Sequence, residues 1–263
     1  MSHGPTVGRV SDVFSQGCHR VRLDWGPVGA ATAGADVVVV VDVLSFSTAV
    51  TVAVGRGTRV IPSPWSDERA RALAAEHDAT LAVGRLEAAR DGTVVAPSLS
   101  PAGLIAGPPV ARLVLPSPNG SSIAAAAAGA DVVVGCLRNA RAVGSHVARA
   151  LADGRIVAVV AAGERWGVDG SLRPCLEDHL GAGAVLAHLR AAGHGDRFSP
   201  EASAAATLFD ASRADLRRLL RECVSGRELT EAGFEEDVDV AAELDASTTV
   251  PVLVGGAFTD PPA

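Results

Sequence analysis

Asp42 ends a run of five consecutive valines, Val37–Val41, and is followed at once by the hydroxyls of Ser45, Ser47 and Thr48. A continuous β-branched run reads as a strand buried on both faces, the mark of a parallel sheet, so Asp42 falls at that strand's carboxyl end. Ligands of open α/β sheets bind at this edge, where a helix start also offers unpaired amides to an anion. A carboxylate suited to a hard metal ion beside hydroxyls and amides suited to an oxyanion makes a phosphate site. The competing reading is that Asp42 only caps the next helix.

Three further segments carry candidate chemistry. In PSPNGSS, residues 116–122, Pro118, Asn119 and Gly120 form a tight turn before an Ala-rich helix; Gly120 lets the backbone approach a ligand, and Ser121 and Ser122 supply hydroxyls. An ordinary turn with a helix cap explains the same residues. In SLRPCLEDHLGAG, Pro174 suits the first turn of a helix, and Glu177 and Asp178 follow within it. Adjacent acids project about 100° apart on a helix, so one can hold a metal ion while the other orients a neighbouring group. Cys175 stands at the same helix start, which can lower a thiol pKa, but no His or Asp partner is evident and a small core residue is the simpler reading. In AAGERWG, Arg165 is a candidate for bidentate recognition of a carboxylate, sulfonate or phosphate, unless Glu164 neutralises it in an ion pair.

Composition narrows the chemistry. All 23 basic residues are Arg, so a P-loop lysine, a Schiff-base lysine and a Ser-Lys dyad are excluded, and the absence of Tyr removes a tyrosine acid. The formal charge of −7 and the lack of any basic run argue against nucleic acid or an anionic membrane as partner. Cys18, Cys136, Cys175 and Cys223 form no CxxC or Cys/His cluster, as expected of reduced thiols. The amino terminus has no charged and apolar leader pattern and the apolar runs are short, so a cytoplasmic protein is expected.

The elements that must position these residues alternate. Strands are expected at 7–13, 18–24, 37–42, 58–61, 80–83, 111–115, 131–135, 155–162 and 250–254, and helices at 46–56, 66–77, 119–128, 139–152 and 175–192. Residues 199–244 read as three or four helices with no strand between them, and the Pro- and Gly-rich stretch 85–110 as a long connection. The reading is a single α/β unit over residues 1–263, with a helical segment at 199–245. Two echoing strand, turn and helix units, beginning at VVVVVDVLSFST and IVAVVAAGERWG, hint at internal duplication.

In order along the chain, DVLSFSTAV, APSLSP, PNGSS, GCLRNARAV, SLRPCLEDHLGAG and SGRELTEAGFEEDVDVAAELDASTTVPVL resemble the 2-phosphosulfolactate phosphatase family. The resemblance implies a three-layer α/β/α fold with mainly parallel sheets in two related, intertwined halves. It also implies a Mg²⁺-dependent phosphomonoesterase acting on 2-phosphosulfolactate or a related small phosphorylated acid. Carried onto this sequence, Asp42 with Glu177 or Asp178 would hold Mg²⁺, and Asp42 and Glu177 would do the catalytic work. Ser45, Ser47, Thr48, Asn119, Gly120 and Ser121 would surround the phosphoryl group, and Arg165 would meet a second anion. The chain departs from the family at Ser45, where an Arg is usual, at Leu86 within a usual Gly-Glu-Arg, and at Ser98–Pro101 and Ser117–Ser121. The alternative is a non-catalytic paralogue that binds a phosphorylated metabolite or a protein; a homodimer is left open.

Overall fold

The computed structural model describes residues 13–84 and 97–261. Most of the strand expected at 7–13, and Arg85 and Leu86, lie outside the described residues.

The valine run forms β2 (Val37–Val41), with every side chain buried. Alternation along the strand sends Val37, Val39 and Val41 into one core and Val38 and Val40 into another, so the sheet is covered on both faces. Each valine so buried contributes roughly 1.5 kcal/mol or more of apolar transfer free energy. The first core is closed by α6 (Ala140–Ala152), α7 (Leu176–Leu189) and α8 (Pro200–Ser212). The second is closed by α1 (Gly26–Thr32), α2 (Phe46–Gly55) and α5 (Gly120–Ala126). This is the expected three-layer α/β arrangement.

The sheet has nine strands. On one side of it, β1 (Val21–Trp25), β7 (Val157–Ala161), β2 and β6 (Asp131–Gly135) are neighbours in that order and parallel. On the other, β3 (Arg59–Ser63), β5 (Arg112–Pro116) and β4 (Thr80–Leu81) are also parallel. The hairpin of β10 (Val252–Val254) and β11 (Ala257–Thr259) joins the groups, pairing antiparallel with β6 and with β3. Three successive antiparallel junctions reverse the direction, so the two parallel groups run opposite ways. A short separate ribbon pairs β8 (Glu164–Arg165) with β9 (Leu172–Arg173).

After α8, the helical tail contains α9 (Leu216–Glu222), α10 (Val224–Glu231) and α11 (Glu235–Ala241), with no strand until β10. Within the stretch expected as a long connection, α4 (Pro101–Ala106) opens on Ser100, whose hydroxyl accepts from Gly103 N. Asp237 on α11 accepts from both Ser100 Oγ at 2.5 Å and Ala102 N at 3.0 Å, so the Ser-Pro of APSLSP helps dock the helical tail. Both α1 and α4 are short and rich in Gly, Ala and Pro, which leaves no helical periodicity to detect. Among the described residues no helix is long and apolar enough to cross a membrane.

Candidate active site

Parallel pairing of β2 with β7 places Val41 opposite Ala161 and brings their carboxyl ends side by side. Asp42 follows the first strand and Glu164 the second, while the first turn of α7 carries Glu177 and Asp178 to the same edge. All but Glu164 are buried. Asp42 Oδ1 accepts from Phe46 N at 3.2 Å, and Oδ2 from Gly120 N at 3.0 Å. The carboxylate therefore caps α2 and also captures the first residue of α5. Each oxygen retains a second lone pair, so capping leaves room for another partner.

That second contact explains the glycine. A Cβ on Gly120 would lie 2.2 Å from Phe46 Cδ1 and 3.0 Å from Asp42 Oδ2, and the Phe46 ring is fully buried against Phe258. Gly120→Ala is expected to push α5 off Asp42, costing about 1 to 3 kcal/mol as overpacking does. Thermal unfolding checks the cost; a midpoint equal to that of the parent protein would show that the contact is looser than the geometry states.

Electrostatics single out Asp42. Burial, then the nearby Glu164 carboxylate and less strongly Glu177, push its pKa up to about 6, against the pull of the two amides. Asp178 also titrates well above the usual carboxylate range, because of burial, Glu177 and Asp42 in that order. Its oxygens accept from Val43 N at 2.7 Å and Gly163 N at 2.8 Å, which ties together the loops leaving β2 and β7. Glu177 lies against the Cys223 thiol, at the elbow between α9 and α10. Burial first, and then Glu177, pushes the thiols of both Cys175 and Cys223 up to about 12, the opposite of what a thiolate nucleophile needs.

The other expected site residues are placed as follows. Ser45 is buried at the start of α2. Ser47 Oγ accepts from Asp42 N at 2.9 Å and donates to Val40 O, and Thr48 Oγ1 donates to Val43 O at 2.8 Å, so both hydroxyls hold the turn that presents Asp42. Asn119 donates from Nδ2 to Glu164 Oε2 at 3.0 Å. Ser121 Oγ is buried and has no hydrogen-bond partner among the described residues. Arg165 is exposed, with Nη1 donating to Gly170 O at 3.1 Å. Two residues escaped the sequence reading. Glu164 could have been found only by knowing that β7 neighbours β2, and Cys223 only by knowing that the helical tail folds back on α7.

A cleft of about 550 Å³ opens at the carboxyl ends of β3, β4 and β5, lined by Trp65, Val83, Gly84, Leu99, Ser117 and Pro118 among others. The chain from Ser117 to Gly120 links its floor to the acid cluster. Among the described residues no three His, Cys, Asp or Glu side chains converge closely enough to form a ready metal cage. Mg²⁺ does not require one, since it is commonly held by one or two carboxylates with water and substrate oxygens filling the rest. Hard carboxylate oxygens that raise one another's pKa, with acids as the charged neighbours acting on Asp42, fit such a cation.

Fold and site together define an α/β protein with opposed parallel sheet halves and a cluster of buried acids at a strand edge. Within that class the chain belongs to the 2-phosphosulpholactate phosphatase family, whose sequence model matches residues 29–256. It is also 35% identical over 147 residues to a Deinococcus radiodurans protein described as a probable 2-phosphosulfolactate phosphatase. That match covers 55% of this chain and 57% of the relative, so the chain spans little more than half the length of the curated relative.

Proposed function

We propose that the protein is a Mg²⁺-dependent phosphomonoesterase of small phosphorylated acids, 2-phosphosulfolactate or a related 2-phospho acid. The net reaction consumes one water, breaks the ester P–O bond and releases the 2-hydroxy acid and inorganic phosphate. The observation that carries this reading is the family match over residues 29–256, which spans every residue of the acid cluster.

Asp42 and Glu177 are the residues that would hold Mg²⁺, with Glu164 facing Asp42 from β8. The ion, when bound, would offset charge on the transferring phosphoryl oxygens. Asp42 holds the start of α5 against the site through Gly120 N, which fixes the position of the next residue, the buried Ser121. Asp178 holds the two strand ends in register, and the Cys223 thiol rests against Glu177. Burial and the neighbouring acids that push the Asp42 pKa up to about 6 disfavour its charge, which a bound cation would stabilise.

The test is a phosphatase panel run with Mg²⁺ and with excess chelator. Phosphomonoester hydrolysis that disappears on chelation and returns with Mg²⁺ is expected. Full activity in chelator overturns the metal assignment; no turnover of any phosphomonoester with Mg²⁺ overturns the enzyme reading.

A further inference from the structure

The hairpin β8–β9 borders the site and carries both Arg165 and Arg173. Directly opposed residues of an antiparallel pair present their side chains on one face, and residues alternate along each strand. Glu164 opposes Arg173, whereas Arg165 opposes Leu172. Glu164 turns toward the acid cluster, as its bond to Asn119 Nδ2 and its action on Asp42 show. Arg173 therefore shares the site face. Trp166 lies two residues beyond Glu164, and its N–H donates to Ser171 O at 2.9 Å, so the alternation continues to the same face. The contact agrees: the Arg173 guanidinium lies 5.7 Å from the centroid of the Trp166 ring.

On the reverse face Leu172 leans on the body of the fold while staying 39% exposed. A Cβ at Gly26 or at Gly163 would lie 3.3 Å or 3.0 Å from Leu172 Cδ1, which shows how closely Leu172 packs on the start of α1 and the end of β7. Arg165 belongs to that face and spends a guanidinium N–H on the hairpin's own turn, at Gly170 O. Arg173, half-buried, makes no side-chain hydrogen bond or ion pair among the described residues. Its fork is thus held by an aromatic ring with its donors unspent, beside acids that would otherwise repel a multiply charged substrate.

We propose that Arg173, and not Arg165, takes the second acid group of the substrate, the carboxylate or sulfonate beside the phosphoryl ester. This rests on the phosphomonoesterase reading above, and the experiment separates the two. The quantity to measure is the ratio of kcat/KM for 2-phospholactate to that for p-nitrophenyl phosphate, both with Mg²⁺, in the parent protein and in Arg173→Gln, Arg173→Lys and Arg165→Gln. Arg173→Gln is expected to lower the ratio by about ten- to a hundredfold through KM, the loss of one charge-assisted contact. Arg173→Lys is expected to recover part of it, and Arg165→Gln to move it by less than about threefold, as exposed groups do. A collapse of the ratio in Arg165→Gln, or an equal loss on both substrates in Arg173→Gln, overturns the assignment. If the parent protein hydrolyses neither ester, the enzyme reading fails. Calorimetric titration with malonate or sulfoacetate then decides: binding lost in Arg173→Gln alone upholds the anion site, and equal binding by both variants refutes it.

Discussion

Asp42→Asn is expected to abolish phosphatase activity, by on the order of a thousandfold or more, while leaving the metal-free protein at least as stable as its parent. The amide keeps the shape and one acceptor for the N–H of Phe46 or Gly120, but it removes a charge that burial and Glu164 disfavour. The sign follows from proton binding. A carboxyl whose pKa rises to about 6 on folding binds its proton more tightly in the folded state, so stability falls as pH rises from the ordinary carboxylate range to about 6. A shift of this size corresponds to about 3 kcal/mol, of which the substitution recovers what it does not lose by placing an amide NH₂ against a backbone N–H. Thermal midpoints of the metal-free proteins between pH 4 and 7 should therefore decline in the parent and stay flatter in the variant. Mg²⁺ should raise the parent's midpoint and leave the variant's unmoved. If Asp42 is a helix cap alone, Asn serves as well, activity survives and the two pH profiles coincide.

The sequence made the strand of Asp42 legible because five buried valines allow few other structures, and it made α7 legible through Pro174 and the acids of its first turn. Chain order could not show that β7 lies beside β2, since strand neighbours are fixed by long-range pairing, and so Glu164 looked like the ion-pair partner of Arg165. The pairing instead sets those two side chains on opposite faces of one hairpin. Position at a helix start offers the hydroxyls of Ser47 and Thr48 to an anion, but a Ser or Thr there also has backbone partners within reach, and both hydroxyls bond to them. Composition gave no hint of the reversed sheet halves, because a valine-rich strand looks the same in either direction. Of the short hairpin that imposes the reversal, the strand at 250–254 is legible, whereas β11, three residues long, is not, and neither shows its antiparallel pairing.

Adjacent in sequence, Glu177 and Asp178 have different surroundings, and substitution of Asp178 should reveal it as a positioning residue. Its two oxygens accept short bonds from Val43 N and Gly163 N, which belong to the loops that bear Asp42 and Glu164. Asp178→Ala leaves two buried N–H groups without a partner, each costing about 1 to 3 kcal/mol. Removal of a carboxyl that burial and Glu177 disfavour returns part of this, so the net destabilisation expected is about 2 to 4 kcal/mol. Asp178→Asn should fall between, since its amide can accept from one of the two N–H groups and must turn a donor toward the other. The decisive measurement is the thermal midpoint with and without Mg²⁺. A positioning residue predicts a lower midpoint in both conditions and a Mg²⁺-induced rise of parental size. A metal ligand predicts the reverse: a metal-free protein as stable as the parent that no longer responds to the ion, the behaviour expected of Asp42→Asn. The two acids would then have exchanged roles, and Asp178 rather than Glu177 would stand with Asp42 at the metal.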